Sequence, residues 1–314
     1  MEKKIILRLS NGLGNQMFMY ATAYSLAKRL NRKLIIDDET AFRARKNISK
    51  YALSNFDIAS EIAPNSNKFK SNIGYLKRKS FKFLDRFMIK KNFLIEQKDL
   101  NKISNYHPEI FNRDYAKNLY MEGHFESEKY FLNYKNFIEK EFIFKCRDLF
   151  KKSPFHKVLS QNNSISICLR QNRFSEGMNK KNNENNVKSK KFSHEQIEYI
   201  NNSIDYFKKK ISNPVFCLWS NDIENINLND FSAKITKIIH NKEFCNSLDH
   251  NTLDLYLITQ AKHHIVIPST FNWWGAWLCS NKEKIILRPS SNYFSQFKIN
   301  NNDFWPDTWL KINK

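Results

Sequence analysis

Apolar and polar residues alternate along this chain in two rhythms. Lys4-Ile5-Ile6-Leu7-Arg8-Leu9 is a short apolar run with β-branched residues, and Ser10-Asn11-Gly12-Leu13-Gly14 breaks it with turn formers. Gln16 to Leu30 then carries Phe18, Ala21, Ala23, Leu26 and Leu30 at helical spacing. Lys33 to Asp38 reads as a second strand ending in carboxylates, so the chain opens with a βαβ unit of a doubly wound, parallel α/β fold.

The pattern from Arg43 to Lys91 is weaker. Tyr75 to Ile95 predicts one basic amphipathic helix, with Leu76, Phe83, Leu84, Phe87 and Met88 opposite Lys77, Arg78, Lys79, Lys82 and Arg86. Such a helix suits either a solvated surface or contact with an anionic lipid face. Strand-like alternation returns at Ser164 to Arg170, after Asn162-Asn163. Residues 177–191 form a polar, low-complexity stretch predicted as a mobile loop, and Ser193 with Gln196 has capping-box spacing for a helix reaching about Ile211. Strand 214–219, helix 252–262, strand 264–267, helix 272–279 and strand 284–287 continue the alternation. Ligands of such sheets bind beyond the carboxyl ends of the strands, so Arg170, Asp222 and Ser269 are expected at one edge.

A length of 314 residues accommodates about two domains of ~150 residues each. They are expected at 1–160 and 161–290, with segment 291–314 packing back on the N-terminal domain. With 41% hydrophobic and 14% aromatic residues the chain is not a disordered polymer. The formal charge of +21 favours a polyanion, an anionic membrane face or a phosphate-bearing substrate, although abundant Asn, Lys, Ile and Phe also fit an A/T-rich base composition. Cys146, Cys168, Cys217, Cys245 and Cys279 lie far apart without a C-x-x-C pair and read as reduced thiols of a cytosolic protein. The apolar run after Lys3-Lys4 is too short for a signal-peptide core, and no window is long enough to span a bilayer.

Several residues could carry chemistry. Gly12-x-Gly14 opening a helix could cradle a phosphate or serve as a plain turn; Met17 stands where a dinucleotide fingerprint needs its third glycine. Arg170 and Arg173 at a strand end could neutralise a diphosphate or be ordinary surface charge. Adjacent His263 and His264 lack a metal-ligand spacing and read as structural. Ser269-Thr270 at a helix start, ahead of the aromatic cluster 271–277, suits a phosphate.

Ser10-Asn11-Gly12-Leu13-Gly14-Asn15-Gln16-Met17-Phe18-Met19-Tyr20-Ala21 and Pro268-Ser269-Thr270-Phe271-Asn272-Trp273-Trp274-Gly275-Ala276-Trp277-Leu278 resemble the signature of the bacterial α-1,2-fucosyltransferases of glycosyltransferase family 11. Segments 123–131, 219–223 and 304–309 are similar to further family segments in the same order, so the resemblance spans nearly the whole chain. One stretch departs from it. The family commonly has His-x-Arg-Arg-Gly-Asp where this chain has Cys168, Leu169, Arg170, Gln171, Asn172 and Arg173. The first arginine is kept, and the histidine, second arginine and aspartate are not.

The resemblance implies a GT-B-like α/β fold, two Rossmann-like domains facing a cleft, with GDP-fucose held mainly by the C-terminal one. It implies inverting, metal-independent transfer of L-fucose to the 2-hydroxyl of a terminal galactose or similar sugar on a lipid-linked O-antigen (lipopolysaccharide) precursor. Gly14, Asn15, Arg170, Asn172, Arg173, Asp222, Ser269 and Thr270 are the expected donor-binding residues. Arg170 is expected to stabilise the leaving diphosphate and Glu176 to act as base, with Asp37 and Asp38 as alternatives. A non-catalytic glycan- or GDP-sugar-binding relative and a transferase using another GDP-sugar remain open. A nucleic-acid-binding protein is disfavoured by the lack of any recognition motif. The place of action is expected to be the cytoplasm, peripherally at the inner face of the membrane.

Overall fold

The computed structural model describes residues 2–43, 50–99, 103–161, 163–176, 182–240, 249–295 and 298–314. It divides into two compact units, Met1–Lys145 and Cys146–Lys314.

The first unit is built on strands β1 (Lys4–Arg8), β2 (Lys33–Asp37), β3 (Glu61–Ile62), β4 (Lys91–Ile95) and β5 (Tyr115–Glu122), in the order β3-β2-β1-β5-β4 with every pairing parallel. Central strand β1 reads as an unbroken apolar run because Ile5, Ile6 and Leu7 are covered on both faces. Helix α1 (Leu13–Arg29) supplies much of that cover and is buried around most of its circumference from Leu13 to Ala27. Helices α2 (Asn72–Leu84) and α3 (Lys135–Glu141) complete the unit.

The single helix expected over Tyr75 to Ile95 is not formed. Helix α2 ends at Leu84, a 3-10 turn covers Asp85–Phe87, and β4 follows. The reversal is fixed by side chains: the Asp85 carboxylate accepts the N–H groups of Asn92 (2.7 Å) and Phe93 (3.2 Å), while the Lys91 ammonium donates to the carbonyls of Asp85, Arg86 and Met88. The polarity of α2 is also inverted, because Arg78, assigned to the solvated face, is buried against the Glu122 carboxylate. Burial opposes ionisation of Glu122, but the Arg78 hydrogen bond and the charges of Arg8 and Lys82 outweigh it and hold the carboxyl below its usual range.

The second unit runs α4 (Arg147–Phe150), α5 (Pro154–Ser160), β6 (Ser164–Leu169), α6 (Asn183–Lys210), β7 (Val215–Ser220), β8 (Ile235–Lys237), α7 (His250–Gln260), β9 (His263–Ile265), α8 (Thr270–Trp277), β10 (Ile286–Pro289), α9 (Asn301–Phe304) and β11 (Leu310–Ile312). Its sheet is parallel, in the order β11-β10-β9-β6-β7-β8. The unit starts earlier than residue 161 because α4 and α5 pack on α7: Phe150 lies 5.4 Å from the Tyr256 ring, and His156 stacks on it at 5.8 Å. The described residues of segment 291–314, expected to pack on the N-terminal domain, form part of this unit's own sheet and core. Leu310 pairs with Leu287, the Trp273 indole donates to the Phe304 carbonyl, and Trp309 packs against Trp273.

Helix α6 begins ten residues before the expected Ser193, at Asn183, capped by Asn182, whose side chain accepts from the N–H of Asn185. Much of the polar stretch 177–191 is therefore helical; residues 177–181 lie outside the described residues. Ser189 and Phe192 are buried, and these sparse inward contacts decide the helix where composition suggested a loop. Ser193 forms no cap. Gly275 permits α8 to approach α7 closely, since a Cβ there would fall 2.3 Å from Ile258 Cγ2.

Candidate functional site

In the second unit the chain leaves central strand β6 toward β7 on one side and later returns through β9 on the other. The crevice beyond the carboxyl ends of β6 and β9 is thus the topological switch point of the sheet. Arg170 follows β6, Asp222 follows β7, and Ser269-Thr270 follow β9 and open α8. The sequence expected all of them at this edge, and the parallel topology puts them there.

The loop after β6 is held by two-way clasps. Gln196, fully buried on α6, accepts from the Arg170 N–H at 2.9 Å and donates to its carbonyl at 2.8 Å. Asn221 does the same for Gln171, at 2.8 and 3.1 Å. Asn172 occupies the left-handed region (φ 56°), turning the loop so that its amide faces Asp222 at 3.4 Å. Asp222 also accepts from Asn225 at 2.7 Å. Arg173 lies exposed on the same loop.

The Arg170 guanidinium meets Glu176, with Nη2 2.7 and 2.8 Å from the two carboxylate oxygens. Arg170 Nε is enclosed and without a hydrogen-bond partner among the described residues. At the start of α8, Ser269 makes no side-chain cap, and the buried Asn272 Nδ2 likewise has no partner among the described residues. Helix start and amide together offer donors to negative charge. Periodicity suggests a capping role for Gln196 and does not reveal its hold on Arg170, nor the unpartnered Asn272 amide. The Gln196 role depends on contacts 26 residues away in sequence.

Adjacent His263 and His264 are structural, as expected. His264 Nδ1 lies 2.7 Å from Ser166 Oγ, and His263 Nδ1 accepts from the Ile285 N–H. Burial lowers the pKa of both rings, most strongly at His264. The thiols of Cys168, Cys217 and Cys279 are buried and pushed up by that burial. Cys245 lies outside the described residues.

In the first unit the glycine turn connects β1 to α1. Asn11 is left-handed (φ 63°), and the fully buried Gln16 side chain donates to the carbonyls of Asn11 and Lys50 and accepts from the Ala52 N–H. Gly14 is buried in the first turn of α1 with Asn15 beside it. Gly12 differs: it is exposed, its φ of −77° suits any residue, and among the described residues a Cβ would meet nothing within 4 Å. The unit itself does not need glycine there, whereas a ligand approaching the α1 N-terminus would.

At the neighbouring carboxyl end of β5, Gly123 (φ 145°) and Phe125 (φ 54°) flank His124. Glu96 accepts both the His124 and Phe125 N–H groups at 2.8 Å, and the imidazole lies 2.7 Å from Asn11 Nδ2 and 3.4 Å from Glu126. His124 therefore positions the glycine turn, a role the sequence alone did not disclose. Asp37, one alternative base, is fully buried and accepts from Tyr120, from the Thr40 hydroxyl and N–H, and from the Glu39 N–H, which fixes it as a structural acceptor. Asp38 is ion-paired to Lys68 at 2.6 Å.

A family model described as glycosyl transferase family 11 matches residues 2–313. The chain belongs to glycosyl transferase family 11. It is accordingly a glycosyltransferase. An alpha-1,2-colitosyltransferase of Escherichia coli is 27% identical over 99% of both chains, and the O-antigen biosynthesis glycosyltransferase WbnK of Escherichia coli is 24% identical over 97% of this chain and 99% of its own. The fold is similar to that of Arabidopsis thaliana FUT1 solved with GDP, at a TM-score of 0.54 and 14% identity, covering 93% of this chain and 71% of the other. The two parallel α/β units are GT-B-like. Among the described residues no helix is long and apolar enough to cross a membrane.

Proposed function

We propose that this family 11 enzyme transfers L-fucose from GDP-fucose, with inversion and without a metal, to the 2-hydroxyl of a terminal galactose or similar sugar on a lipid-linked O-antigen precursor, working from the cytoplasmic side of the membrane. The observation that carries the donor assignment is Arg170 at the switch point, its guanidinium held against Glu176 where the chain leaves β6, with the start of α8, which the Ser269 side chain does not cap, following the adjacent strand β9. FUT1, solved with GDP, supports a guanosine nucleotide, and WbnK, named for O-antigen biosynthesis, supports the acceptor class.

In the proposed reaction the acceptor oxygen attacks the anomeric carbon, the bond from that carbon to the diphosphate oxygen breaks, and the electron pair leaves with GDP. Arg170, Arg173, the Asn272 amide and the N–H groups at Ser269-Thr270 stabilise that charge. Asn172 and Asp222 bind the nucleoside side, and Gly14 and Asn15 at the α1 start contribute to the donor. Glu176 accepts the acceptor proton once the diphosphate has drawn Arg170 away. Its pair with Arg170 is easily exchanged, because both side chains are about 40% exposed (40% and 38%) and such pairs contribute about 1 kcal/mol or less.

Purified protein incubated with GDP-fucose and a galactose-terminated acceptor is expected to release GDP and form a fucosylated product. Nucleotide binding without product would favour the non-catalytic alternative. The similarity to a colitosyltransferase favours a second donor reading, so colitosyl and other GDP-sugar donors belong in the same assay. Higher turnover with any of them replaces fucose as the assigned sugar.

A further inference from the structure

The elbow between α2 and β4 combines features that ordinary protein surfaces keep apart. Phe87, Met88 and Ile89 at its tip are 75%, 51% and 92% exposed, and Ile73, Leu76, Phe83 and Leu84 continue the apolar surface along α2. The tip is not a frayed end: Asp85 and Lys91 bind the backbone on both sides of it. Helix α2 faces the unit with its polar side, through Arg78 and Lys82 on Glu122, and leaves apolar residues in water. Contiguous exposed apolar surface of this kind marks an interaction site.

The charges around it select the partner. Residues 72–91 hold seven Lys or Arg and one carboxylate, Asp85, which is buried and occupied by backbone N–H groups. Beside the apolar tip an open cavity of about 570 Å³ is lined by Arg78, Lys79, Lys82, Arg86, Lys91 and Arg113. A second copy docking symmetrically would bring this cationic ring against itself, which is repulsive. A nucleic acid would engage the cations and leave the apolar tip in water. An anionic bilayer satisfies both, with acyl chains for the tip and headgroup phosphates for the exposed cations around it.

We propose that the α2–β4 elbow docks the enzyme on an anionic phospholipid surface, with Phe87, Met88 and Ile89 inserted at the interface and Lys77, Lys79, Arg86 and Lys90 on the headgroups. The assignment is independent of the donor sugar.

Co-sedimentation of the full chain with vesicles of phosphatidylcholine alone, or mixed with phosphatidylglycerol, tests it. Binding is expected only to the mixed vesicles and to weaken with salt. The triple variant F87S/M88S/I89S and the charge reversal K77E/K79E/R86E are each expected to lower partitioning by at least about tenfold, with unchanged melting temperature and unchanged GDP release on a soluble acceptor. Equal binding to neutral vesicles, no binding of the wild type, or retained binding in both variants would overturn the proposal. So would a wild-type dimer in sedimentation velocity that the serine variant dissociates while vesicle binding persists. Absence of GDP release by the wild type would count against the proposed donor and leave docking intact.

Discussion

The guanidinium of Arg170 and the carboxylate of Glu176 lie 2.7 Å apart across the loop that leaves β6. The pair keeps the cation oriented and the carboxylate occupied, and under the proposed function the diphosphate of the donor takes the place of Glu176. Replacing Arg170 by Ala is expected to lower kcat by about two orders of magnitude or more, since a fixed group that stabilises leaving-group charge is lost. Steady-state kinetics at saturating donor checks this, and a near-wild-type rate would remove Arg170 from the reaction.

Glu176→Gln keeps the shape and removes the proton acceptor. The expected result is a fall of about 10²–10⁴-fold in kcat/KM and loss of the acidic limb of its pH profile. A variant that retains the wild-type acidic limb takes Glu176 out of the role of base and leaves it as the partner that orients Arg170.

Two glycines should respond in opposite ways. Gly275→Ala drives a methyl into Ile258 and is expected to destabilise the protein by about 1–3 kcal/mol, read as a lower denaturation midpoint. Gly12→Ala meets no atom of the described residues, so its melting temperature is expected to stay at the wild-type value while the KM for the donor rises. Unchanged donor kinetics in Gly12→Ala would show that nothing approaches that face.

His264 predicts a pH dependence of stability. Burial holds its folded pKa well below the ordinary 6.5, so below that value the unfolded chain binds the proton more readily. Stability therefore falls as pH drops below about 6.5, with His263 adding in the same sense. Thermal melts across this range are expected to show the decline, and His264→Gln to flatten it; an unchanged slope would assign the acid sensitivity to other groups.

Transfer is expected to proceed at an unchanged rate after dialysis against EDTA, because the charge on GDP is assigned to protein donors. A rate that EDTA abolishes and a divalent cation restores would overturn that assignment.

The sequence by itself determined the elements whose register is local. The run Ile5-Ile6-Leu7, the glycine turn with its helix and the strand Ser164–Leu169 were legible because a strand covered on both faces must be apolar throughout and an α/β crossover needs a turn at each end. Arg170, Asp222 and Ser269 could be placed at one edge for the same reason, since parallel topology alone sends strand ends to one side. Tertiary structure decided the rest. Lys91–Ile95 became a strand only because Tyr115–Glu122 offered a partner, and Arg78 turned inward only because Glu122 was buried opposite. Asn183 to Lys191 became helix only because Ser189 and Phe192 found cover. Gln196 acquired its place at Arg170 through contacts that short-range periodicity does not encode. A polar side chain's role depends on which donor or charge long-range packing brings to it, whereas an apolar repeat carries its own instruction to be covered.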